Sequence, residues 1–182
     1  MMRRIRKKLI YAWQVIYLVF FTGNLFAVVK SYLVGRVKPI GRVHILLRGK
    51  NGVLKFADWV PNLVVNTGRY HIADQMSDQS QAAMSHMAIG EGTTSAIFTD
   101  TSLQTEIHRK VLGSKTQGTD TDANKVTYFC EWPAGEGTGS ITEAGIFNSA
   151  SAGDMLCRSV FAVKNKGAGD SLTLTWVLTI SS

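Results

Sequence analysis

From Leu172 to Ile180 every second residue is large and apolar. Leu172, Leu174, Trp176, Leu178 and Ile180 alternate with Thr173, Thr175, Val177 and Thr179. A period of two puts one set on a buried sheet face and the other on a half-exposed one. On a helix the same residues would be scattered around the circumference. Strand-like segments recur at roughly ten-residue intervals, with turn signals between them. Residues 42–48 and 53–59 flank Gly49-Lys50-Asn51-Gly52. An Asn-Gly pair between apolar runs predicts a hairpin whose two central turn positions take positive φ. Residues 60–66 carry the strand pattern past Pro61, which predicts an edge or a bulge there. Residues 84–89, 125–132, 141–147 and 155–163 read as strands and 111–115 as extended; 101–110 is ambiguous. One helix is expected over 67–87, on the weak stripe of Ile72, Met76, Gln79 and Ala83. The expected fold is mainly β: an antiparallel β-sandwich or jelly roll with one short helix, preceded by an N-terminal apolar helix.

Charge divides the chain in two. The 182 residues carry 20 Lys and Arg against 13 Asp and Glu, a net of +7. Twelve of the basic residues and none of the acidic ones precede Asp58. From Asp58 onward 8 basic residues face 13 acidic ones, a net of −5. The basic character therefore belongs to the N-terminal part, and no specific nucleic-acid binding is expected of the body. Residues 9–29 contain no charged side chain and follow Arg3, Arg4, Arg6, Lys7 and Lys8. That length suits a helix crossing a bilayer, and the flanking charge suits a cytoplasmic N-terminus. Leu9, Trp13, Tyr17, Phe20 and Phe21 are its candidate membrane or docking residues. Three readings stay open: a membrane span, a cleaved secretory signal and an arm buried in a larger assembly. The expected division is an arm over 1–36 and a β-sandwich domain over 37–182.

Chemistry is sparse in this pattern. His44, His71, His86 and His108 show no metal-ligand spacing. Cys130 and Cys157 fall in expected strands; neighbours across a sheet or two small buried hydrophobes both fit them. Gly90-x-Gly92 lacks the lysine and following helix of a phosphate loop. Asp120 and Asp122 offer too few oxygens for calcium and read as a solvated turn. No cofactor, metal or catalytic set is expected. Glu143 stands out, a carboxylate inside the apolar run 141–147. Buried there, it needs a partner. Arg109 and Arg158 are the candidates, and an ion pair setting strand register is the expected role.

Five segments, in order, carry a family resemblance. They are Pro61-Asn-Leu-Val-Val-Asn-Thr-Gly68, Met87-Ala-Ile-Gly-Glu-Gly92, and Thr99-Asp-Thr-Ser-Leu103 with Glu106 and Arg109. The others are Ile141-Thr-Glu-Ala-Gly-Ile-Phe147 leading to Met155-Leu-Cys-Arg158, and the closing strand from Leu172 to Ile180. From about Arg42 onward the chain resembles small tailed-bacteriophage virion proteins of the tail and particle surface. The resemblance implies a structural β-sandwich module without catalytic residues, located in the virion. Its implied partners are other virion proteins and copies of itself. Residues 9–29 lie outside the resemblance and leave membrane contact, or a single-pass membrane protein displaying the domain, as the alternative. A glycan- or receptor-binding module is a further alternative; it requires Trp132 or Tyr128 to be exposed beside the Gly-rich loop 133–139.

Overall fold

A computed structural model describes residues 37–181. The elements are β1 (Lys38–Arg48), β2 (Leu54–Pro61), β3 (Leu63–Val64), α1 (Asn66–Met76), β4 (His86–Gly90) and β5 (Glu106–Val111). They continue with β6 (Ser114–Gln117), a 3-10 turn (Asp120–Asp122), β7 (Lys125–Trp132), β8 (Gly139–Phe147), β9 (Met155–Lys166) and β10 (Ser171–Ser181). The described residues are mainly β, with one α-helix. Two five-stranded antiparallel sheets form, in the orders β2-β1-β10-β7-β6 and β3-β9-β8-β4-β5.

The alternation in β10 does what its period requires. Leu172, Leu174, Trp176 and Leu178 are buried, while Thr173, Thr175, Val177 and Thr179 stay half-exposed; Ile180, the last of the expected buried set, is half-exposed at the strand end. The buried set meets Val43, Ile45 and Leu47 of β1 and Tyr128, Cys130 and Trp132 of β7. The second sheet adds Met87, Ile89, Ile141, Ala144, Ile146 and Cys157 to the same cluster, so the two sheets share one core. A separate small cluster, Val65, Ala88, Leu103, Phe147 and Met155, lies on the other side of the second sheet. There Leu103, from the segment between β4 and β5, supplies the cover.

Several local expectations need correction. The hairpin at Gly49–Gly52 forms, but of its residues only Gly52 has positive φ, at 75°. The Gly52 N–H donates to the Gly49 carbonyl at 2.8 Å and the Gly49 N–H to the Val53 carbonyl at 2.8 Å. This is a longer loop closed by a left-handed glycine, and the register slips at Leu47/Arg48. At Pro61 the chain leaves edge strand β2 and crosses to the other sheet as β3. The helix ends at Met76, not at 87. Asp78 and Ser80 both take positive φ, at 55° and 57°. Short polar side chains that bond their own backbone favour such conformations over helix. The extended run expected at 111–115 is broken at Leu112-Gly113, where β5 gives way to β6 in the opposite sheet.

Among the described residues no helix is long and apolar enough to cross a membrane. The apolar run 9–29, with Leu9, Trp13, Tyr17, Phe20 and Phe21, lies outside the described residues.

Candidate functional site

The densest polar constellation lies on the face of the second sheet that carries the small apolar cluster. Register builds it. Arg109 of β5 stands opposite Ala88 of β4, Ala88 opposite Gly145 of β8, and Gly145 opposite Arg158 of β9. The two arginines thus share one row, separated by two small residues. Glu143 sits two residues along β8 from Gly145, on the same face.

Glu143 is fully buried. Its Oε1 accepts from the backbone N–H groups of Gly92 (3.0 Å) and Thr105 (2.7 Å). Its Oε2 accepts from the Gln104 N–H at 3.1 Å and from Arg158 through Nε (2.9 Å) and Nη2 (2.8 Å). Arg158 spends its other nitrogens on the same segment. Nη1 reaches Asp100 Oδ2 at 2.8 Å and Nη2 donates to the Thr94 carbonyl at 3.0 Å. Asp100 Oδ2 also takes the Ile97 N–H at 2.9 Å. The result is a clamp holding residues 91–105 onto the sheet. Gly92 belongs to it because a side chain there would collide with the Glu143 carboxylate. That steric need, not phosphate binding, accounts for Gly90-x-Gly92.

Arg109 does not reach Glu143. It pairs with Glu106 through Nε (2.9 Å) and Nη2 (2.6 Å). Its Nη1 donates to the Ser149 and Ala152 carbonyls at 3.1 and 2.9 Å, tying down the β8–β9 turn. The guanidinium stands 3.7 Å from the centre of the Phe147 ring. Sequence reasoning brought Glu143 and Arg158 together but missed Asp100 and the backbone donors of 91–105. The only advance signal for Asp100 was its place in the Thr99-Asp-Thr segment.

Chemically, this arrangement holds rather than reacts. The Glu143 carboxylate has five donors and no exposure, so no substrate proton reaches it. Elsewhere, Trp132 and Tyr128 are buried, and the Trp132 indole N–H donates to His108 Nδ1 at 3.1 Å. Neither of the two aromatics named for a glycan-binding surface beside 133–139 is exposed; both belong to the core. Cys130 and Cys157 are free and buried in different sheets. Burial pushes the Cys130 thiol up to about 11 and raises that of Cys157 further. Among the described residues no group of three His, Cys, Asp or Glu side chains is placed to hold a metal.

Two further features were not legible beforehand. Lys166 is buried and donates to the carbonyls of Pro133 (3.0 Å) and Asp170 (2.7 Å), and burial lowers its pKa. An open groove of about 730 Å³ runs between α1 and the β6, β7 and β10 strands, lined by His71, Met76, Met84, Tyr128 and Leu178. It does not touch the Glu143 cluster. Comparison of the chain with protein-family models and with curated proteins found no match.

Proposed function

We propose that the chain is a non-enzymatic structural component of a tailed-bacteriophage virion, a β-sandwich subunit of the tail, neck or capsid surface. It assembles with copies of itself or with neighbouring virion proteins. The observation that carries this reading is the ordered set of five resembling segments. Asp100, Glu106, Arg109, Glu143 and Arg158 all fall within those segments, and all are engaged in holding loops to a sheet. A two-sheet body with these five charged groups spent on internal clamps suits a part that transmits load and presents surfaces. The N-terminal arm would supply anchorage within the assembly.

The uncharged run 9–29 favours one second reading, a single-pass membrane protein displaying the same domain. Density-gradient separation of a lysed, phage-producing culture, with the chain followed by antibody, tells the two apart. The virion reading expects the chain in the particle band and resistant to a salt wash. Its recovery with host membranes, absent from particles, would favour the membrane-displayed domain.

A further inference from the structure

The groove beside α1 is built by strand register. Lys115 of β6 stands opposite Tyr128 of β7, and Gln117 opposite Val126, which in turn faces Leu178 of β10. Helix α1 supplies the facing wall, with His71, Ile72 and Met76. The volume of about 730 Å³ lies within the range of about 300–1,000 Å³ typical of small-molecule sites. Apolar side chains are left in water there: Ile72, Val126 and Ile180 are half-buried and Met76 is 85% exposed. His71 is only 5% exposed, yet its Nδ1 has no hydrogen-bond partner; Asp154 Oδ2, at 4.0 Å, is beyond hydrogen-bond reach. Buried polar atoms are nearly always paired in native folds, so an orphan one calls for an explanation.

We propose that this groove binds a free long-chain carboxylate, with its head at Lys115 and His71 and its hydrocarbon tail along Ile72, Val126 and Ile180. The choice of ligand follows from the charge of the lining. Among the described residues that line the groove, Lys115 is the one cation, and no Asp or Glu is present; Asp74 and Asp154, which act on His71 through space, lie outside the lining. Lys115 Nζ donates to the Met84 carbonyl at 3.1 Å, which leaves ammonium donors for a further acceptor. Burial lowers the pKa of His71 and raises that of Tyr128 to about 12. Near neutral pH both are therefore uncharged hydrogen-bonding groups beside a single positive charge. Apolar walls of this kind disfavour a sugar or a nucleotide. A neutral hydrocarbon would leave Lys115 and His71 without a partner. An apolar chain with one anionic end satisfies both halves of the lining. The site stands apart from the Glu143 clamp and does not depend on the virion assignment.

Photolabelling of the full chain, kept soluble in amphipol rather than detergent, tests this. The probes are palmitate with a diazirine at the tail end and the matching hexadecanol. The expected result is palmitate label on peptides carrying Ile72, Val126 or Ile180, displaced by unlabelled palmitate. Lys115→Met is expected to weaken the palmitate label at least tenfold and to leave the fainter hexadecanol label unchanged. Ala83→Trp places a bulky ring on an exposed lining residue and is expected to abolish both labels with an unchanged melting midpoint. Gln75→Trp and Lys115→Gln serve if either first variant fails to fold. Absence of displaceable label from those peptides, or label confined to residues 9–29, overturns the site. So does palmitate label that ignores both Lys115→Met and Ala83→Trp. Groove label that fades as the chain concentration rises would give the groove to a second copy and overturn the ligand. None of these outcomes alters the particle fractionation that scores the virion reading.

Discussion

Glu143 and Arg158 sit where neither charge is tolerable alone. Removing one partner of a buried pair leaves the other uncompensated, at a cost of about 3–5 kcal/mol. Glu143→Ala is therefore expected to destabilise the domain by about that amount, read as a fall in the denaturant midpoint. It should also expose residues 91–105 to protease, because three backbone N–H groups lose their acceptor together. The double change Glu143→Leu with Arg158→Leu should cost less than the single one. His71 offers a pH test. It is buried on α1, its Nδ1 has no hydrogen-bond partner, and Asp154 Oδ2 lies 4.0 Å away. Burial lowers its pKa; Asp154 and Asp74 oppose that shift, and Lys115 adds to it. The folded state thus prefers the neutral ring. The stability this contributes is complete above about pH 6.5 and is lost as the pH falls below it. Thermal melts from pH 8 to 5 should show a steeper decline for the wild type than for His71→Gln. At this scale Glu143 was legible, because a carboxylate in an apolar strand demands a partner. Which arginine answers it was not, since that depends on the register of four strands.

Helix α1 is seated on the backbone of β9, with Ile72 half-buried against the shared core. Thr67 Oγ1 donates to the Met155 carbonyl at 2.8 Å, and Gly68 lies flat against the Leu156 carbonyl of β9. A methyl group at Gly68 would run into that carbonyl, so Gly68→Ala should force the helix off the sheet. A loss of about 1–3 kcal/mol is expected, as for other overpacked sites, and hydrogen exchange should quicken across Asn66–Met76. Gly68→Ala with unchanged exchange would show that α1 is not seated through this contact. The same feature explains why the helix was misjudged in length. Its stripe is weak, so its extent follows from contacts with β9 and from Ser77, Asp78 and Ser80, which favour turn geometry. The hairpin shows the converse. Gly49–Gly52 was legible as a turn, but its type was not, because closure through Gly52 alone depends on the register slip at Arg48.

For the molecule as a whole, period-two patterning carried the mainly β character, and β10 announced its buried face from Leu172 to Leu178. Pairing partners were another matter. β1 lies beside β10, from the opposite end of the described chain, and β4 lies beside β8. Alternation reports which face is buried but not which strand lies alongside. The central claim is that this two-sheet body is a part of a phage particle. Quantitative peptide mass spectrometry of purified particles tests it most directly. The account predicts peptides from the described body in a constant ratio to the other virion proteins across independent preparations. A contradicting result would be their absence from clean particles, or a ratio that falls with each further purification step.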